Sequence, residues 1–464
     1  MLFNSLIFLF LFLPITYLVF WSLRNSQSRY IWLAITGYVF YGYWDPRFCL
    51  LMAFSTAVSY LSGLGFLLAR TERTRTLLLV VPIGIDLCLL AFFKYANFAL
   101  ESVTSGMRFL GYQIEAPFFH VILPVGISFY TFHTITYIVD CYRRTIRPTK
   151  NLFEFAAYVS LFSQLVAGPI VRFRQIEEDL EALGNADRTR WLGKGIAFFL
   201  VGMLEKILMA DTLAAWVDPA FSNYETLSTA GVWLAVLGYT FQLYFDFCGY
   251  SDMAIGLGYM FGIRIPLNFN SPYKALDPAD FWRRWHISLS TCLRDYVYIP
   301  LGGNRGGKWV MNRNLLLTML IGGLWHGANW TFVIWGLYHG LLLVAHRGFA
   351  VYWEQLPRLI RQFAMLILVC VGWVFFRAAD VETASELLKR MFIPTSGALL
   401  AEWVPFLPVL GFAAFWGMLG PNCFDLFQNY AWRRWHGPVF AILFGVCVGL
   451  ILGGGNSPFL YFQF

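Results

Sequence analysis

The chain is 464 residues long, 58% apolar and 19% aromatic, with only 13% Asp, Glu, Lys or Arg and a formal net charge of +7. A water-soluble fold of this size could not hide that much apolar side chain. The same numbers exclude a disordered chain, a coiled coil and a disulfide-rich secreted domain. Residues 1–23, 48–69, 116–139, 226–245, 314–346, 403–424 and 435–464 contain no Asp, Glu, Lys or Arg. About 20 apolar residues cross a bilayer as a helix, and the ~10-residue alternation of an outer-membrane barrel is absent. The expected class is an all-α polytopic membrane protein. In such a chain excess Lys and Arg reports orientation, so the positive charge is no sign of nucleic-acid binding.

In chain order, Met1 to Leu23 has no basic leader and no small-residue cleavage site, and reads as a retained span. Polar loops follow at Arg24 and Arg29, at Asp45-Pro46-Arg47, at Arg70 to Arg75, at 101–115 and at Arg143 to Lys150. An outside N-terminus puts the first, third and fifth of these in the cytoplasm, where basic loops belong. Residues 155–171 are short for a crossing and predict a re-entrant hairpin. The segment 172–194, with five basic and five acidic residues, predicts a cytoplasmic surface helix. Spans near 195–217 and 226–263 lead to a polar insert at 264–313, with eight Lys/Arg and three Asp/Glu, also placed in the cytoplasm. The uncharged run 314–346 comes next, then spans near 362–376, 403–424 and 438–455. The layout is a single domain over 1–464 with roughly nine to eleven crossings plus re-entrant pieces, and with 101–115 and 377–402 outside. No internal repeat of the transporter kind is visible. The eight cysteines show no metal-type spacing and read as small hydrophobes, so no metal site is expected.

Two stretches carry the candidate chemistry. In the first, Phe281-Trp-Arg-Arg-Trp-His286, the residues Trp282, Trp285 and His286 have helical i, i+3, i+4 spacing and would share one face. An interfacial helix with a Trp belt and snorkelling Arg explains the Trp and Arg residues. It explains His286 and Asp295 less well. Arg283, Arg284 and Arg294 could also hold an anionic acyl donor such as a coenzyme A pyrophosphate. The second stretch is Leu324-Trp325-His326-Gly327. His326 lies twelve residues after Asn314, roughly 18 Å along a helix, about half of a ~30 Å hydrocarbon core. An ionisable side chain at that depth is a functional candidate. A neutral imidazole there could take the proton of an attacking hydroxyl while an acyl donor lies beside it. A core histidine hydrogen-bonded between helices is the competing reading. It is favoured for His133, His339 and His346, whereas His120 and His436 read as loop or interface residues. Asp86, Lys94, Glu205, Lys206, Asp211, Asp246 and Asp252 lie in or near apolar spans and favour structural or pathway roles.

At these motifs, with Arg294-Asp295-Tyr296, Ile299 to Asn304, Tyr41 to Trp44, Gly168-Pro169 and the ending Ser457 to Phe464, the sequence resembles the membrane-bound O-acyltransferase superfamily over nearly its whole length. It is most similar to the bacterial branch that serves alginate O-acetylation. The resemblance implies a ring of transmembrane helices around a central funnel narrowing at the catalytic histidine. It makes His326 that histidine and His286 the second motif position, with Trp325, Trp285, Arg283, Arg284, Arg294, Asp295 and Asn268 as lining residues. It implies no bound cofactor, and acetyl-CoA or another acyl thioester as the cytoplasmic donor. Expected partners are a periplasmic SGNH-type esterase-like protein, the polysaccharide synthesis and export machinery and the lipid bilayer of the inner membrane, with the N-terminus periplasmic. The glycan stays open among alginate, cellulose, peptidoglycan and other exopolysaccharides. A D-alanyl transfer protein working with a carrier protein, and a non-enzymatic transporter with His326 as a proton relay, are the alternatives.

Overall fold

A computed structural model describes the chain except residues 113, 115–118, 120–121, 166–167, 399–404, 428–429, 455–458 and 461–464. His120, most of the Ser457 to Phe464 ending and part of the 377–402 loop therefore lie outside the described residues. Among the described residues the structure is helical, with no strand beyond one isolated bridge between Leu227 and Ala398. Three helical stretches, Arg47–Leu68, Glu72–Phe109 and Arg358–Arg377, are long and apolar enough to cross a membrane. The chain divides into two compact units, Met1–Leu192 with Leu257–Pro266, and Gly193–Gly256 with Leu267–Phe464.

The first unit carries α1 (Leu13–Ser22), α2 (Ser26–Gly42), α3 (Arg47–Leu68), α4 (Glu72–Leu90), α5 (Ala96–Phe109), α6 (Ile127–Tyr142), α7 (Leu152–Val159) and α8 (Phe173–Glu181). Side chains start several of them: Asn25 caps α2, Thr71 caps α4 and Asn151 caps α7, each accepting a backbone N–H of the first turn. A π-helical turn, Ala91–Tyr95, joins α4 to α5. The buried Asp86 of α4 accepts from Ser55 Oγ and Thr134 Oγ1, both at 2.7 Å, and so ties α3, α4 and α6 together. Phe3, Phe8, Phe12, Phe40 and Phe162 form one packed aromatic cluster. The segment 172–194, expected as one surface helix, is instead short: α8 spans nine residues and passes into a 3-10 turn at Ala182–Asn185. Asp179 on α8 accepts the backbone N–H of Arg264 at 2.7 Å and pairs with its guanidinium, which it holds above its ordinary pKa.

The second unit carries α9 (Leu192–Leu204), α10 (Thr212–Ser222), most of α11 (Thr229–Met260), α12 (Pro278–Arg284), α13 (Ile287–Leu293), α14 (Gly307–His326), α15 (Trp330–Glu354), α16 (Arg358–Arg377), α17 (Val381–Phe392), α18 (Leu407–Leu419), α19 (Cys423–Phe427) and α20 (His436–Leu452). Glycines set its closest helix contacts. A Cβ on Gly249 would lie 2.5 Å from the Gly202 carbonyl oxygen, and one on Gly256 would lie 2.6 Å from that of Gly195. The antiparallel α9 and α11 thus touch backbone to backbone, as small residues permit in membrane bundles. The uncharged run 314–346 is broken at Gly327. Its helix stops at His326, and α15 packs back antiparallel on α14 through Gly323 and Gly336.

Gly249→Ala should therefore lower the thermal midpoint of the detergent-solubilised protein by several degrees, because overpacking costs about 1–3 kcal/mol. Gly348→Ala, whose Cβ would meet nothing within 4 Å, should not lower it. Equal effects of the two substitutions in a melting experiment would contradict the tight crossing.

Candidate active site

The site is built around Asn268, which precedes α12 and is fully buried. Its Nδ2 donates to Ser251 Oγ at 3.1 Å, and the backbone N–H of Ser288, which can only donate, fixes Oδ1 as the acceptor side of the amide. Oδ1 then accepts from Ser288 N–H at 3.2 Å and from Ser288 Oγ at 2.8 Å, and faces His286 Nδ1 at 3.1 Å. A carbonyl oxygen only accepts, so the proton of His286 is on Nδ1. Nε2 keeps its lone pair, and among the described residues it has no hydrogen-bond partner although the residue is fully buried.

The same bonds correct the expected helical face. α12 ends at Arg284, Trp285 is extended, and His286 adopts φ 44°, ψ 55°, the left-handed region that a β-carbon disfavours. Asn268 also accepts through its backbone carbonyl from Ile287 N–H at 2.8 Å. These long-range bonds over-determine the strained residue. Trp282, Trp285 and His286 therefore do not share a helix face. Trp285 is buried against Trp373, with ring centroids 4.8 Å apart, rather than lying in an interfacial belt.

His326 is the last residue of α14. Gly327 ends the helix in an extended conformation, and a Cβ there would lie 2.1 Å from the Phe332 ring. Asn329 caps α15 by accepting from Thr331 N–H. The hairpin lays the His326 ring against Trp335 at 5.0 Å and Trp325 at 5.0 Å, and α16 adds Phe376 at 5.1 Å. The His286 ring lies 6.4 Å from the His326 ring, 6.0 Å from Trp325 and 4.7 Å from Phe247. Two imidazoles, one with its accepting nitrogen fixed, thus face each other inside an aromatic wall. Such a pair can accept and deliver a proton where water is excluded.

The other expected lining residues divide. Trp325 belongs to the wall and Asn268 positions His286. Arg283 and Arg284 pair with Asp280 at 3.5 and 2.9 Å, and Arg294 pairs with its neighbour Asp295 at 2.7 Å. Arg283 and Arg294 remain exposed. Trp335, Phe376, Phe247 and Ser288 were not singled out by sequence, because each reaches the site only through tertiary packing. His339 is buried in the same aromatic cluster, 4.8 Å from Trp335, and stacks on Phe281. Phe459 packs on Tyr250 and Phe247, and Leu460 N–H donates to Asp246 at 2.9 Å, so the end of the chain reaches the residue behind His286.

Comparison with known proteins places the sequence in a family. The sequence profile described as MBOAT, membrane-bound O-acyltransferase family, matches residues 142–377, half of the chain, and spans both imidazoles. The chain is 46% identical over 402 residues to the probable alginate O-acetylase AlgI of Pseudomonas aeruginosa, covering 84% of this chain and 75% of that protein. It is 37% identical over 424 residues to the peptidoglycan O-acetyltransferase of Helicobacter pylori, covering 84% and 80%. The teichoic acid D-alanyltransferase of Streptococcus thermophilus is more distant, 33% identical over 236 residues that cover 47% of this chain and 56% of that one. With a profile match over half its length and such identity across most of its relatives' length, this chain belongs to the membrane-bound O-acyltransferase family and is a membrane acyltransferase.

Proposed function

We propose that this acyltransferase takes an acetyl group from a cytoplasmic thioester such as acetyl-CoA and moves it across the inner membrane for O-acetylation of an exported polysaccharide. The observation that carries the reading is the buried pair of His286 and His326 in a chain whose relatives include a probable alginate O-acetylase and a peptidoglycan O-acetyltransferase. His326 acts as general base. It takes the proton of the accepting hydroxyl as that oxygen attacks the thioester carbonyl, and the sulfur leaves with the electron pair of the broken C–S bond. His286, with its lone pair on Nε2, supports the same proton movement. Trp325, Trp335 and Phe376 keep water from competing as nucleophile.

In this reading the helices form a ring of roughly nine to eleven crossings around a funnel narrowing at His326. The N-terminus is periplasmic. The insert 264–313 faces the cytoplasm, where Arg283, Arg284 and Arg294 meet the anionic donor. An esterase-like SGNH protein on the periplasmic side receives the acetyl group, alongside the polysaccharide export machinery. The D-alanyl alternative has weaker support, since its relatives are 33% and 29% identical over 47% and 57% of the chain. Membership of an acyltransferase family removes the ground for a non-enzymatic transporter.

In proteoliposomes with an acetyl thioester inside and polymer plus periplasmic partner outside, His326→Ala should lower transfer by at least about 10²-fold, the lower end of general-base contributions. His286→Ala should lower it strongly but incompletely. Near-normal transfer by a well-inserted His326→Ala protein would remove its role, and wild-type transfer without the partner would remove the relay. For orientation, Arg305→Cys in intact cells should resist an impermeant thiol reagent from the periplasm beyond the parent protein's background. Periplasmic labelling would overturn the layout.

A further inference from the structure

Glu205, Cys248 and Asp252 meet away from the imidazole pair. Glu205 opens the π-helical stretch Glu205–Asp211 after α9, while Cys248 and Asp252 sit one turn apart on α11. Their ligand atoms all lie within 4.8 Å of one another. The Gly202–Gly249 contact brings them together: a Cβ on Gly202 would lie 3.1 Å from the Asp252 Cβ, and one on Gly249 would lie 3.2 Å from the Glu205 Cβ. The Cys423 thiol, at the start of α19, neighbours the Asp252 carboxylate outside that 4.8 Å group and could close on an ion as a fourth donor. All four side chains are at least nine-tenths buried, and Cys248 and Cys423 are reduced.

Two carboxylates side by side in a low-dielectric interior must be neutralised, by a proton or by a cation. The neighbouring Lys206 is engaged by Asp211 at 2.6 Å and Asp246 at 2.5 Å. Among the described residues no carboxyl–carboxyl hydrogen bond joins Glu205 to Asp252, so protons alone would have to sit on each separately; the Cys248 thiol donates to Asp252 Oδ2 at 3.9 Å. Glu205 Oε2 is fully buried and, among the described residues, has no hydrogen-bond partner. A carboxylate with an unsatisfied oxygen, grouped with a second carboxylate and a thiol within 4.8 Å, is a donor set for a metal ion.

We propose that Glu205, Cys248, Asp252 and Cys423 bind a divalent transition-metal ion of the zinc class. Thiolate donors select against Mg²⁺ and Ca²⁺, which take oxygen ligands, and two sulfurs with two carboxylates suit tetrahedral zinc. Binding releases the thiol protons. With four protein ligands and no exposed face the ion is structural. It clamps the π-helical stretch and α19 to α11, the helix that also carries Ser251 and Phe247 beside the imidazole pair. Cysteine spacing could not show this set, because its ligands come from three separate segments.

The test is the metal content of the full-length protein, purified through a tag without histidines and without chelators, loaded with Zn²⁺ and gel-filtered. About one zinc per chain is expected. Loading with Co²⁺ instead should give a thiolate-to-cobalt charge-transfer band. Cys248→Ser and Cys423→Ser should lose the band and the zinc, whereas Cys370→Ser, a buried thiol bonded to Thr240, should keep both. If either variant fails to fold, the wild-type measurement still decides. No zinc above the buffer level and no thiolate–cobalt band in the wild-type protein would overturn the site. A Cys248–Cys423 disulfide in its intact mass would do the same.

Discussion

A polar group buried away from water is costly unless the protein supplies its hydrogen-bond partner. The Asn268 side chain is where that constraint shapes the candidate site. One amide joins Ser251 of α11, the backbone and hydroxyl of Ser288, and the imidazole of His286. Its two ends are chemically different, so orienting the amide also decides which nitrogen of His286 carries the proton. The left-handed backbone at His286, the end of α12 and the start of α13 follow from the same set of bonds. Asp86 does comparable work in the other unit, and the buried Arg29 is held there by the Leu23 carbonyl at 3.0 Å and stacked between Phe20 and Trp21.

Close backbone contact is the second determinant. Apolar side chains gain little by leaving lipid for one another, so membrane helices associate through fit. Gly202 with Gly249, and Gly323 with Gly336, let helices approach to distances that a single methyl would forbid. The first contact brings Glu205 and Lys206 up to Asp252 and Asp246. The second folds α15 back so that Trp335 covers His326.

The membrane class, the acyltransferase family and the Trp-His-Gly motif were legible in the sequence, because composition and local motifs carry them. The interruptions were not. Trp282, Trp285 and His286 have helical spacing, and only Asn268, eighteen residues away, breaks the helix between them. The glycines beside His326 permit a break, but the Phe332 ring that lies against Gly327 there is supplied by the fold. Arg283, Arg284 and Arg294 read as grips for a charged donor, and sequence alone did not reveal their pairing with Asp280 and Asp295. Trp335, Phe376 and Phe247 are ordinary apolar residues until the fold gathers them around the two imidazoles.

The central claim is that Asn268 acts through His286, and a double-mutant cycle on acetyl transfer tests it most directly. Asn268→Ala, His286→Ala and the double variant would be compared at matched expression and with substrate in excess. If the amide works by holding the Nδ1 proton of His286, the double variant should be no slower than His286→Ala, since removal of the imidazole leaves the amide nothing to position. Losses that multiply, with the double variant slower by the product of the two single effects, would show that the two residues act independently and would contradict the account.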